Sequence, residues 1–274
     1  MPKIMRPAVA GQFYPGQSQV LSAEIKKFLD NAATPKITGE VKCLIAPHAG
    51  YMYSGPVAAH AYKIIIGKEY EAVIVLAPSH RVGFVGAAVF DGDYYQTPLG
   101  DVPTEKEICQ ALLDSSQYFL VNDRADMFEH SLEVQVPFLQ KVLKNFKIVP
   151  IVVGQLDLEA AQEVADSINK IAANKNVLLV ASSDLSHYHP APTAEALDQR
   201  ALKTIELGNF QKLWELEASG QVELCGIGPV MVVSIYAQEI KALTVKILKY
   251  NHSGEVTGDN SGVVGYGAVA FIKE

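Results

Sequence analysis

Three segments of this chain end in residues able to do chemistry. Ala46-Pro47-His48-Ala49-Gly50-Tyr51 and Ala77-Pro78-Ser79-His80 each carry a histidine just past an Ala-Pro pair. Ser182-Ser183-Asp184-Leu185-Ser186-His187 adds a carboxylate and a third imidazole. Imidazole ligates metals and serves as general acid or base near neutral pH. A single histidine at the end of a strand is more often a structural hydrogen-bonding group. Two in nearly matching settings shift the balance toward a shared site. Asp184 can fix an imidazole tautomer, and His187 can move a proton. The structural alternative is that Asp184 caps a following turn and His187 packs in the loop. His189, just before Pro190, reads as a loop residue.

Two further candidates lie elsewhere. His130 and Glu133 stand one helical turn apart in His130-Ser131-Leu132-Glu133, so both can reach a common pocket. Their order and spacing differ from the His-Glu-x-x-His zinc motif. Glu133 could equally be a helix-start carboxylate. Cys225, in Leu224-Cys225-Gly226-Ile227-Gly228-Pro229, precedes a helical pattern. A thiol there is expected to have a depressed pKa, favouring nucleophilic attack or metal ligation. The flanking glycines would let backbone approach a ligand closely. The alternative is a small buried thiol. Cys43 and Cys109 sit in apolar patterns and read as core. His60 and His252 have the same plain readings, in a helix and a turn. The chain has no Walker-type phosphate loop, no dinucleotide fingerprint and no nucleophile elbow.

Positioning these groups falls to alternating strands and helices. Val41–Ala46, Ala72–Ala77, Lys147–Val153, Asn176–Ala181, Thr244–Tyr250 and Gly265–Ile272 are short apolar runs suited to a sheet covered on both faces. Helices are expected over Gln19–Asn31, Pro56–Ile66, Thr104–Ser115, Ser131–Lys144, Leu158–Ala173, Pro192–Leu207 and Pro229–Ile240. Pro137 should kink the fourth of these or delay its start. Asp157 and Thr193 are placed to cap helix starts. The expected architecture is one α/β domain over residues 1–274, with a mostly parallel or mixed sheet and helices on both faces. Ligands of such sheets bind beyond the carboxyl ends of the strands, where the His48, His80 and Asp184 segments fall.

Composition narrows the function. The 274 residues carry a formal charge of −7 and no dense basic run, so neither nucleic acid nor an anionic membrane is an expected partner. No apolar stretch approaches a bilayer span, and Met1 to Tyr14 lacks the apolar run of a signal peptide. Three scattered cysteines do not make a disulfide framework, which makes a cytoplasmic location the expectation. A chain this long needs no metal to hold its core, so a metal here would serve chemistry or binding.

Taken in order, several motifs resemble the Memo family. They are Arg6-Pro7-Ala8-Val9-Ala10-Gly11, Phe13-Tyr14-Pro15, Ala46–Tyr51, Pro78-Ser79-His80, Glu129–Glu133, Ser182–His187 and Leu224-Cys225-Gly226. Microbial members are also called the B component of the AmmeMemoRadiSam system. The resemblance covers nearly the whole chain and implies a fold similar to class III extradiol dioxygenases, which hold non-haem Fe(II) with two histidines and a glutamate. Matched residue by residue, it implies His48, His80 and Cys225 as metal ligands, with Cys225 in place of the carboxylate. Asp184 and His187 match the other polar pocket residues. A thiolate ligand widens the metal choice from Fe(II) to copper or zinc. Three functions compete: a metal-dependent redox enzyme acting on a small molecule, a zinc hydrolase, and a metal-free module binding a small molecule or phosphopeptide. The name of the genomic system implies a radical-SAM partner.

Overall fold

Strand-forming and helix-forming patterns alternate along the whole chain, and the computed structural model describes residues 1–274. The strands are β1 (Ile4–Met5), β2 (Glu40–Ala46), β3 (Ala72–Pro78), β4 (Ala87–Val89), β5 (Tyr94–Thr97), β6 (Gly100–Pro103), β7 (Phe119–Leu120), β8 (Lys147–Val153), β9 (Val177–Ser182), β10 (His187–His189), β11 (Thr244–His252) and β12 (Val263–Lys273). The helices are α1 (Ser18–Asn31), α2 (Tyr51–Lys63), α3 (Lys106–Leu113), α4 (Asp123–Met127), α5 (His130–Glu133), α6 (Val136–Val142), α7 (Leu158–Ala172), α8 (Ala191–Glu206), α9 (Phe210–Ala218), α10 (Ile227–Glu239) and α11 (Gly254–Thr257).

The main sheet runs β10-β12-β2-β9-β3-β8-β4-β7, with β11 also paired to β12. Its centre is parallel: β2 pairs β9, β9 pairs β3 and β3 pairs β8. Antiparallel β12 and β4 flank that centre, so the sheet is mixed. Every residue of β3 and β9 is buried, as continuous apolar runs require when helices cover both faces. Side chains alternate between two cores. Cys43, Ile74, Leu76 and Leu179 pack with Val164 and Ile168 of α7 and Val232 of α10. Leu44, Val73, Val75 and Val180 pack with Leu21 of α1, Tyr62 of α2 and Phe138 of α6 on the other face. Cys43 and Cys109 are both buried core residues. No helix is long and apolar enough to cross a membrane.

Several boundaries differ from expectation for physical reasons. Helix α2 starts at Tyr51, five residues before Pro56, because Gly50 serves as its N-cap and the Tyr51 N–H is held by Phe13 O at 2.7 Å. The span expected at Ser131–Lys144 is two helices, with Pro137 in the first turn of the second. Asp157 caps α7 by accepting from Ala160 N at 2.8 Å. Thr193 does not cap α8, whose N-cap position is Pro190. A small sheet of order β1-β5-β6 and helix α9 fall outside the elements expected from sequence.

Candidate metal centre

Because β2, β9 and β3 are parallel and adjacent, their carboxyl ends open on one edge, and His48, Asp184 and His80 follow them directly. Buried polar groups lock the three ends together. Ser131 Oγ, on α5, donates to Pro78 O at 2.8 Å at the end of β3. Ser182 Oγ, closing β9, donates to Ser131 O at 2.6 Å. Gln135 Nε2 donates to Pro47 O at 3.0 Å beyond β2 and to Ser182 Oγ at 2.7 Å, while its Oε1 accepts from Tyr62 Oη at 2.6 Å. Ser131, Ser182 and Gln135 are all buried, where an unmet polar group costs about 1–3 kcal/mol.

This network fixes the proton on His48. A hydroxyl has one hydrogen and two lone pairs. Ser182 donates its hydrogen to Ser131 O and accepts from Gln135, so it can only accept from His48 Nδ1, 2.9 Å away. Nδ1 therefore carries the proton and Nε2 presents a lone pair. That Nε2 lies 3.2 Å from Cys225 Sγ. Burial, reinforced by the neighbouring His80 and His130 imidazoles, pushes His48 well below the ordinary histidine range, so the ring is neutral near pH 7.

His80 is fixed by a different partner. Glu129 accepts from His80 N at 2.6 Å and from His80 Nδ1 at 3.0 Å. The carboxylate can only accept, so Nδ1 carries a proton and, in the neutral ring, Nε2 of His80 is the nitrogen left to ligate. Glu129 also accepts from Ser131 N at 3.0 Å, and His130 Nδ1 lies 3.2 Å from its Oε1. Burial works to raise this carboxyl, but the His130 and His80 imidazoles and the His80 N–H outweigh it and hold the group below the usual carboxylate range. Sequence reasoning paired His130 with Glu133 and gave Glu129 no role of its own, although it opens the Glu129–Glu133 motif beside His130.

One donor atom each from His48, His80 and Cys225 falls within 4.8 Å of the others, and His80, Glu129 and His130 form a second such group. Metal bonds of about 2.0–2.3 Å place tetrahedral ligand atoms about 3.5 Å apart, which the 3.2 Å Nε2–Sγ separation fits.

The expectation of a depressed Cys225 pKa is corrected. Cys225 does precede α10, but burial and then the Asp184 carboxylate push the thiol up, outweighing the Asp184 N–H that donates to Sγ at 3.2 Å. The thiol is protonated in the metal-free protein. Gly226 has a different role from the one expected. A Cβ there would meet Ser182 O at 2.4 Å, so this glycine lets the Cys225 loop seat on the end of β9.

Asp184 joins the site through the His48 loop. It accepts from His48 N at 2.7 Å and from the Ala49 N–H, and its Oδ2 lies 3.9 Å from His48 Nε2. Burial raises its pKa against these donors. No hydrogen bond joins it to His187, so the expected orienting pair is replaced by an Asp184–His48 contact. His187, on β10, is half-buried, and its N–H reaches Glu223 Oε2 at 3.4 Å. His189 extends the same short strand and contacts Glu223 Oε1 at 2.8 Å. The His130 ring packs beside the candidate centre, its centroid 4.7 Å from that of His80 and 4.6 Å from that of Phe13. Glu133 is engaged elsewhere. It accepts from Ala8 N at 2.6 Å, from Val9 N at 3.1 Å and from Tyr14 Oη, which fastens the N-terminal segment beside the site.

A family model described as Memo-like protein matches residues 5–270. A MEMO1 family protein of Nitrosopumilus maritimus is 36% identical, covering 98% of this chain and 100% of that protein. One from Methanocaldococcus jannaschii is 38% identical with both chains fully covered. One from Saccharolobus solfataricus is 38% identical over 97% of this chain and 98% of its own.

Proposed function

The chain belongs to the Memo family, and from that premise we propose that it is a metal-dependent redox enzyme acting on a small molecule, with His48, His80 and Cys225 holding a non-haem metal. The observation that carries this is the fixed presentation of two Nε2 lone pairs beside a thiol. Each imidazole has its other nitrogen anchored, to Ser182 and to Glu129. Outer partners of this kind set the tautomer and orientation of metal ligands. Fe(II) bound there would supply one-electron redox chemistry toward O2, and the thiol also suits copper or zinc.

The remaining groups are this chain's own contribution. Cys225 loses its proton on ligation, so binding is favoured as pH rises. Asp184 holds the His48 loop through two N–H donors. His187 and His130 are the proton carriers near the centre, and the Phe13 ring packs against that of His130. Partnership with a radical-SAM protein, which the family resemblance implies, belongs to the same proposal and is tested by co-purification from a common expression strain.

The test is oxygen uptake by protein loaded anaerobically with Fe(II), screened against small phenols, thiols and carboxylic acids. Uptake with at least one class, absent in His48→Ala, supports the proposal. Turnover restored after chelation by Zn(II), without oxygen, would contradict the redox part and point to hydrolysis. Ligand or phosphopeptide binding that persists in metal-free protein, with no turnover under any metal, would establish the binding module instead.

A further inference from the structure

A cavity of about 340 Å³ opens beside the proposed centre, with His80 and Cys225 in its wall. None of its fourteen lining residues is Asp or Glu, although acids outnumber Lys and Arg by 30 to 23 in the chain. One lining residue, Arg81, is cationic, and it follows a proposed ligand directly in sequence. Arg81 is exposed and forms no ion pair within the chain. Its guanidinium is thus free to offer two parallel N–H donors to an incoming oxyanion. Val82, Phe84 and Pro229 supply apolar wall. The first turn of α10 also borders the cavity, carries no acid and adds weak positive potential of the same sign.

We propose that this cavity is the substrate compartment of the centre and takes a small organic carboxylate, its charge on Arg81 and its apolar body against Phe84, Val82 and Pro229. The assignment rests on the reading of the centre given above and names the substrate class for it. The volume, at the low end for ligand cavities, suits a body about one ring in size. A neutral compound of the same shape would keep the apolar contact and lose the guanidinium. A phosphate ester would meet the same cation, so the experiment includes one.

The experiment is an amide NMR titration of the full chain with 3-phenylpropionate, 3-phenylpropionamide and phenyl phosphate. It is run on wild type and Arg81→Gln, each with and without Zn(II). The expected result is that wild type binds 3-phenylpropionate at least about tenfold tighter than the amide, with shifts at Val82, Gly83 and Gly228. In Arg81→Gln the difference disappears while Zn(II) binding, followed by calorimetry, is retained. Equal binding of acid and amide by wild type, or undiminished acid binding by Arg81→Gln, overturns the proposal. Phenyl phosphate binding tenfold tighter than the carboxylate overturns it in favour of a phosphate ester. A wild type that binds no Zn(II) yet discriminates acid from amide through Arg81 would remove the metal reading and leave the anion site standing.

Discussion

β2 and β3 both run out through an Ala-Pro pair, Ala46-Pro47 and Ala77-Pro78, and the histidines that follow have their rings supported in different ways. His48 is 2% exposed, its ring held between Ser182 Oγ and Cys225 Sγ. The His80 side chain is 30% exposed, and both its N–H and its ring rest on a single carboxylate, Glu129. His48 is an interior anchor whose ring Nδ1 rests on a neutral hydroxyl, while its backbone N–H, like that of His80, is held by a carboxylate, Asp184. His80 faces the cavity with its ring on an anionic support. The difference follows from position. The β2 end is covered by the Asp184 and Cys225 loops, while the β3 end borders the open cavity. Glu129 is itself buried, so its charge is met by the donors His80 N, His80 Nδ1 and Ser131 N rather than by solvent.

Breaking the shared element should have the largest effect. His48→Ala and Cys225→Ala are each expected to weaken Zn(II) or Fe(II) binding by more than about 100-fold, beyond the loss typical of outer partners. Isothermal calorimetry checks this, and affinities within tenfold of wild type would break the proposed triad. Glu129→Gln should cost about 10–100-fold in metal affinity, because the amide cannot accept at both oxygens from His80 N and Nδ1. Ser182→Ala should act chiefly on stability, lowering it by about 1–3 kcal/mol in urea unfolding, since Gln135, His48 and Ser131 O all lose a buried partner. If Ser182→Ala weakened metal binding more than Glu129→Gln, the contrast between neutral and anionic support would be reversed.

A further prediction sharpens the comparison through pH. Asp126 and Glu129 lie three residues apart and are both buried, but Asp126 Oδ2 has no hydrogen-bond partner. Burial, then Asp123 nearby, pushes Asp126 up to about 8. Its folded pKa is above the unfolded value of about 3.9, so between pH ~4 and ~8 the folded state keeps a proton that the unfolded state has lost. Stability from this group is therefore full below pH ~4 and is lost as pH rises toward 8. Asp126→Asn should flatten that fall in thermal melts across pH 4–8. Glu129, held low, contributes in the opposite sense, with stability present above pH ~4.3 and lost in acid. An unchanged profile in Asp126→Asn would contradict the assigned shift.

The sheet centre was legible because β2, β3, β8 and β9 are long apolar runs, and their polar ends mark the edge where His48, His80 and Asp184 meet. Strands β4 to β7 escaped because two to four residues carry too little periodicity to read. Helix α9 had a usable signal in Asn209, which caps it by accepting from Lys212 N. Within the site, spacing along α5 suggested Glu133 as the partner of His130. The helix is only four residues long, and Glu133 instead meets the N–H groups of Ala8 and Val9, a pairing across 125 and 124 residues that no local pattern reveals. The N-terminal motifs Arg6–Gly11 and Phe13–Pro15 find their use in that long-range contact. The depressed pKa expected for Cys225 followed from its place at a helix start, and burial, the alternative reading, is the larger effect.

The central claim is that His48, His80 and Cys225 hold one metal ion. Its most direct test is metal analysis of protein purified anaerobically, comparing wild type with the His48→Ala, His80→Ala, Cys225→Ala triple variant. The account predicts about one iron or copper per wild-type chain and none in the variant. Equal metal in both proteins, or none in wild type even after anaerobic reconstitution, would contradict it.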